Sequence, residues 1–326
     1  MDNDACRLYL GTEEGLKVAR IADGMKFSII NEGLNGETVR AMAIHPNDPE
    51  RVHVGCGLRG WGCYHTGDGG ATFDTVGFED RWVWDVTYDP TDPEKVYIGT
   101  EPPMLYAHRR GEVSFDAFED IDDLPSRPDW KFYHEPFGDG HVHGVDIHPD
   151  RPNQIFAGVE DGSLIYSRDG GDSWREALVG HDIHRTAIDP SDPDRIFAGA
   201  ADGLYRSEDA GETWEGIDAF DGHYVHGIYF NERDPGRMYT YAAEDIPLYR
   251  SDDGGNSWNA IGERLPSARA ADTLVIHPTS PEILFYVGEG SDESGHLFVS
   301  SDEGKTWRQI TSDLPKVWRV RGTVPP

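Results

Sequence analysis

Short stretches in which apolar and polar residues alternate recur along the chain, always in the same order. One set runs VRAMAIHP (39–46), VWDVTYDP (83–90), VHGVDIHP (142–149), IHRTAIDP (183–190), VHGIYFNE (225–232) and DTLVIHP (272–278). After a polar turn comes a second set that mostly ends near glycine: RVHVGCG, KVYIGTE, QIFAGVE, RIFAGAA, RMYTYAA and ILFYVGE. A third apolar stretch, a Gly-rich turn and an aromatic residue close each unit. Alternation with a period of two, broken by turn residues, predicts four short strands per unit. A unit of about forty residues carrying four strands is the signature of a propeller blade, because one such sheet cannot bury both its faces alone.

The ends of the sequence complete the count. RLYLGTEEG, LKVARIADG and KFSIINEG supply second, third and fourth strands without a first, and VWRVRGTVPP (317–326) supplies a first strand with nothing after it. Sharing one blade between the two removes the open edges a ring of sheets would otherwise expose. The fold predicted is all-β: a single seven-bladed β-propeller of four-stranded blades, closed by N- and C-terminal strands. Its blades are placed at 317–326 plus 7–31, 38–77, 82–135, 141–178, 182–217, 223–261 and 270–311.

The turns between third and fourth strands are TGDGGATF (66), SRDGGDSW (167), SEDAGETW (207), SDDGGNSW (251) and SSDEGKTW (300). They match S-x-D-x-G-x-T-W, in which Asp and Ser bond turn backbone and Gly takes a positive φ. Five copies at blade spacing resemble the Asp-box (BNR-repeat) propellers: sialidases, sortilin-type receptors, xyloglucan-active glycosidases and photosystem II assembly factors. The resemblance covers nearly the whole chain, although ARIADGMKF is degenerate and HRRGEVSF lacks the box. It implies that Asp68, Asp169, Asp209, Asp253 and Asp302 are structural and lie on the face opposite any active centre. Sialidase action is not expected, since the family's F-R-I-P segment is absent and its Tyr–Glu pair cannot be placed. Xyloglucan-active relatives usually carry two tandem propellers, and this chain has room for one.

Three look-alike segments, GHVHG (140–144), GHDIHR (180–185) and GHYVHG (222–227), hold six of the 14 histidines. Counting back from the residue before each Pro makes Arg40, Trp84, His143, His184, His226 and Asp272 equivalent, with Trp318 or Arg319 in the closing blade. Equivalent positions on the innermost strands form a ring about the axis, near the end that also receives Glu13, Glu101, Glu160 and Glu244. His141, His181 and His223 enter the same three blades. Imidazoles converging at a channel mouth suit a divalent metal, Zn, Mn or Fe, with a position left for water or substrate. The expected ligands are His143, His184 and His226, with His141, His181 and His223 as second candidates. Asp85, Glu160 and Asp272 are the candidate catalytic carboxylates. Arg40, Trp84, Arg185, Arg269, Trp318 and Arg319 are candidates for substrate binding, because Arg suits carboxylate, sulfate or phosphate and Trp suits a sugar face. The competing readings are that the arginines pair with rim carboxylates and that Trp82, Trp84 and Trp318 plug the channel. The long segment 117–140, with Trp130, Phe132, Tyr133 and Phe137, is a candidate lid or stacking platform.

Charge sharpens the picture. There are 60 acidic and 29 basic residues for a net −31, and only six of the basic residues are Lys. Such a surface repels nucleic acid and anionic membranes and self-repels unless salt screens it. An acid-rich, Lys-poor composition is similar to that of halophile proteins. No N-terminal apolar run and no apolar stretch near 18 residues occurs, so neither signal peptide nor membrane span is expected. Cys56 and Cys63 flank the turn GLRGWG; three cysteines are too few for a disulfide framework, and buried thiols in a reducing cytoplasm are expected. Two functional classes remain. One is a metal-assisted hydrolase or lyase on a small polar or saccharide-like ligand, or a metal-free glycosidase using two of the rim carboxylates. The other is a non-catalytic ligand- or protein-binding propeller.

Overall fold

The computed structural model describes residues 5–22, 26–132, 138–242, 247–268 and 272–324. Seven four-stranded antiparallel sheets form the ring expected. Blade 1 orders β28 (Val317–Thr323), β1 (Cys6–Thr12), β2 (Gly15–Ala22) and β3 (Lys26–Gly33). Blade 2 is β4–β7, from Val39 to Gly77, and blade 3 is β8–β11, from Trp82 to Ala117. Blades 4 to 7 follow as β12–β15 (141–177), β16–β19 (183–216), β20–β23 (225–260) and β24–β27 (274–314). Helical residues, among those described, are confined to single 3-10 turns such as Glu119–Asp123 and Arg127–Asp129. No helix is long and apolar enough to cross a membrane.

The core lies between blades, where one sheet's apolar face meets the next. Leu8, Leu10 and Val320 of blade 1 pack on Val275, Phe285 and Leu297 of blade 7, for example. In blades 1 to 5 the glycine near the end of the second strand belongs to this packing. A Cβ on Gly55 would lie 2.4 Å from Val83, and on Gly99 it would lie 2.2 Å from the Val142 carbonyl, each in the next blade's innermost strand. Those glycines set how closely successive blades approach.

Each Asp box is a repeated hydrogen-bonded turn. In blade 5 the Ser207 hydroxyl donates to Asp209 Oδ1 (2.8 Å), which also accepts the Thr213 N–H (2.8 Å), while Trp214 Nε1 donates to the Gly211 carbonyl (3.1 Å). The bonds recur at Asp169, Asp253 and Asp302. These boxes follow third strands, at the end of the ring opposite the starts of the first strands. Cys56 and Cys63 are buried thiols whose side chains point to opposite sheet faces, because Gly55, not Cys56, pairs with Cys63. Cys56 packs toward blade 1 and Cys63 toward blade 3.

Of the described residues after β11, Ile121, Leu124 and Trp130 are buried. Trp130 is fully buried with Ile121 and Val142, and its Nε1 donates to Ser126 Oγ at 2.8 Å, so it is a core residue and not a stacking platform. Phe132 lies 6.0 Å from the His141 ring; Tyr133 and Phe137 fall outside the described residues.

Candidate functional site at the channel mouth

A local irregularity in the innermost strands turns the ring residues toward the axis. In blade 2, Val39 pairs with Cys56 and Ala41 with Gly55, so Arg40 is the extra residue of a β-bulge. Trp84, His184, His226 and Trp318 are extra residues in the same way. A bulge re-aims one side chain without ending the strand. Blade 4 places its irregularity just after His143, at Gly144, whose φ is +61° and whose Cβ would lie 2.9 Å from Arg185 Cα. The glycine that closes GHVHG therefore has a backbone reason.

These residues meet. Arg40, Trp84, His143, Glu160, His184, His226, Trp318 and Arg319 line one cavity of about 50 Å³. Three of the six histidines, His143, His184 and His226, stand on its wall. His141 lies just beside it, stacked on Trp84 at 3.6 Å and bonded through Nε2 to Glu160. The other two do not join: His181 faces Asp202 (2.9 Å) and Tyr205, and His223 lies against Phe220.

Glu160 is the pivot of the polar groups. Ligand atoms of His141, His143 and Glu160 lie within 4.8 Å of one another, as do those of Glu160, Asp182 and His184. Among the described residues no such trio includes His226, whose ring instead stacks on His184 at 4.6 Å and 24°. The expected triad of His143, His184 and His226 is therefore regrouped around a carboxylate. The tautomers are fixed by carbonyls, which only accept. His143 Nε2 donates to Ile183 O (2.8 Å) and His184 Nδ1 to Val225 O (3.2 Å). His184 Nε2 is thereby left facing Asp182 Oδ2 at 3.2 Å, in the same trio as Glu160. A lone pair pointed at carboxylates is repulsive unless a cation, proton or metal lies between.

The electrostatics follow burial and these pairs. Burial pushes His143 down to about 4, and burial with the neighbouring His184 holds His226 well below the usual imidazole range. Burial also opposes charge on His184, but the Asp182 bond and Glu160 outweigh it and raise that imidazole. Burial disfavours the Glu160 carboxylate, yet His141 beside it holds it well below the ordinary range. Glu101, which accepts from Trp84 Nε1 at 3.1 Å, is raised by burial.

Beneath the ring lies a second layer of ion pairs, in which Asp85, Asp272 and Arg319 are buried and Arg185 and Arg321 are partly exposed. Arg319 reaches Asp85 (2.7 Å) and Asp272 (3.2 Å), each 1% exposed; Arg321 donates to Asp272 (2.8 Å), and Arg185 stands 3.7 Å from it. Asp85 Oδ2 also accepts the Val145 N–H at 2.8 Å. The expectation that Asp85 and Asp272 face substrate meets a physical obstacle, because both are ion-paired with arginine and closed off from solvent. Asp272 leaves the ring because its backbone bridges Arg319 of blade 1, while its own strand β24 begins only at Leu274. Arg185 and Arg319 accordingly pair with rim carboxylates, the competing reading given above. Arg269 and Glu244 lie outside the described residues. Sequence reasoning missed Asp182, Tyr224 and Arg321. The first two sit inside GHDIHR and GHYVHG, and Arg321 repeats Arg319 at strand period.

Fold, repeat and turn chemistry describe a seven-bladed β-propeller with Asp-box turns, consistent with the Asp-box (BNR-repeat) propellers. Residues 202–323 match the family model for sortilin, neurotensin receptor 3. An oligoxyloglucan-reducing end-specific xyloglucanase of Emericella nidulans is 23% identical over 179 residues, 47% of this chain. The match spans only 22% of that enzyme. Among solved structures, a candidate 6-phosphogluconolactonase of Bacteroides fragilis is similar over 98% of both chains (TM-score 0.68, 10% identity). YCF48 bound to D1 peptide is similar over 84% of this chain and 82% of that one (TM-score 0.55, 16% identity). At these identities the structural likenesses establish the fold.

Proposed function

We propose that this propeller is a divalent-metal-dependent hydrolase or lyase acting on a polar, oxygenated, saccharide-like substrate at the channel mouth. The observation that carries the reading is His184 Nε2 facing Asp182 Oδ2 at 3.2 Å, beside a Glu160 shared by two donor trios. Ligands about 2.0–2.2 Å from one Zn-like ion lie roughly 3.4 Å apart, so trios already within 4.8 Å need only small side-chain movements. Imidazole nitrogen with carboxylate oxygen suits Zn, Mn or Fe(II). Glu160, His184 and Asp182 would hold the ion, with His141 or His143 completing the set through Glu160. The backbone carbonyls on His143 and His184 orient the rings, as outer partners of ligating histidines do. A bound metal would polarise a substrate oxygen or acidify a water. Glu101, which burial raises, is suited to proton donation, whereas Tyr224, packed against His184 (4.4 Å) and His226 (4.5 Å), is kept neutral by burial and suits hydrogen bonding to a substrate oxygen.

The xyloglucanase relative supports a glycoside-active reading, and the acid-rich, Lys-poor surface supports a salt-rich cytoplasm as the setting. A second reading, a ligand- or protein-binding propeller, draws on the narrow cavity, which is far below the roughly 300–1,000 Å³ of enclosed small-molecule sites. Elemental analysis separates the two. We expect one divalent ion per chain, lost at least tenfold in Glu160→Gln and retained in His226→Phe. A chain that neither carries nor takes up Zn, Mn or Fe contradicts the metal reading and leaves the binding one.

A further inference from the structure

Arg40 is an arginine without an acid. Its guanidinium lies between two indoles, 4.2 Å from the Trp84 ring and 4.1 Å from the Trp318 ring. Among the described residues it makes no hydrogen bond or ion pair, although the chain has twice as many acids as bases. The other channel arginines, Arg185, Arg319 and Arg321, all engage Asp272. The two ring contacts hold the guanidinium at the cavity wall, and its N–H groups remain for a partner. Arg40 lines the same cavity as Glu160 and His143. Trp318 lines it too, and its Nε1–H is buried without an acceptor. A buried donor left unmade costs about 1–3 kcal/mol, so the buried Trp318 N–H, beside the partly exposed Arg40 guanidinium on the same cavity, indicates an acceptor that arrives from outside.

Size limits that acceptor. A water occupies about 30 Å³, so about 50 Å³ admits a head group of a few atoms and excludes a sugar ring. A rigid planar fork matches two coplanar oxygens best. We infer that the cavity receives the carboxylate of an acidic ligand, clamped by the Arg40 fork and the Trp318 N–H, with the rest of the molecule outside the ring. The inference rests on the proposed site and narrows its substrate class to carboxylates. Arg40 selects the ligand, and the Glu160 cluster holds the metal.

Acetate and acetamide, equal in shape and different in charge, isolate the head group. Saturation-transfer NMR on the full chain, with bound metal recorded by elemental analysis, should show acetate binding at least tenfold more tightly than acetamide. Arg40→Met should bring the two within twofold while metal content is unchanged. Trp318→Phe, which keeps the stack and removes only the N–H, should weaken acetate several-fold. Matching circular dichroism and Tm identify folded variants. Equal binding of the two probes by the wild type, or a preference that survives in Arg40→Met, overturns the inference. The same titration on a chain that holds no metal still tests the clamp, so failure of the metal reading and failure of the carboxylate reading are separate outcomes.

Discussion

Replacing Asp272 by asparagine removes one charge and almost no volume. In the protein that carboxylate is 1% exposed and faces Arg321 at 2.8 Å, Arg319 at 3.2 Å and Arg185 at 3.7 Å. Without it, the buried Arg319 and the partly buried Arg185 and Arg321 are left to share the remaining channel carboxylates. Deleting one partner of a buried pair costs about 3–5 kcal/mol, because the survivor stays desolvated and uncompensated. Unfolding entropy of about 2.1 cal/mol/K per residue amounts to roughly 0.7 kcal/mol/K for a chain of this length. Asp272→Asn should therefore lower Tm by about 4–7 °C at pH 7, read by circular dichroism. The pH dependence carries a second signature. Burial alone would raise the carboxyl, but Arg321, Arg185 and Arg319 hold it below the ordinary carboxylate range. A depressed carboxyl stabilises fully above its unfolded pKa of about 3.9 and loses that contribution as pH falls through the folded value. The gap between wild type and variant should hold from pH 8 to about 4 and close only below that. A Tm within 1 °C of wild type, or a gap that closes by pH 6, refutes the account. A catalytic Asp272 predicts the reverse, lost turnover at unchanged Tm.

His53 is buried between Tyr88, whose hydroxyl is 2.7 Å from Nδ1, and His65; burial, with His65, His108, Arg51 and Arg110, pushes its imidazole down to about 3. Its contribution is complete above pH 6.5 and disappears as pH falls toward 3, a loss on the order of 4 kcal/mol, and His53→Gln should flatten that limb of the urea-midpoint profile. Gly99→Ala places a methyl 2.2 Å from the Val142 carbonyl and should destabilise by about 1–3 kcal/mol in urea melts as blades 3 and 4 are forced apart. A net charge of −31 repels itself at low ionic strength, so Tm should rise steadily from 0.1 to 2 M KCl in wild type. The Asp272→Asn deficit, arising in a buried layer, should persist across that range.

The blade count was readable because the strand pattern recurs in every blade and the turn chemistry in five of seven, and the closing strand because VWRVRGTVPP had no partners of its own. Bringing Arg40, Trp84, His143, His184 and His226 to one wall needed only the repeat register. Direction within that wall was not readable. Asp272 has the same offset from proline as His184, yet its backbone bridges the neighbouring blade, and no spacing rule reports which neighbour a strand end selects. His181 and His223 stand close in sequence to His184 and His226, but the loops carrying them turn outward to Asp202 and Phe220. Asp182 lay in plain view between two histidines; its role depends on a tautomer set by the Val225 carbonyl, forty-odd residues away.

β28 is at once the strand that shuts the ring and the carrier of Arg319 and Arg321. Prising blade 1 open would pull both guanidiniums out of the tunnel and strand Asp85 and Asp272 on opposite walls. Mechanical closure and charge neutrality are thus one event, and the seam where a ring is ordinarily weakest becomes the place where it resists peeling.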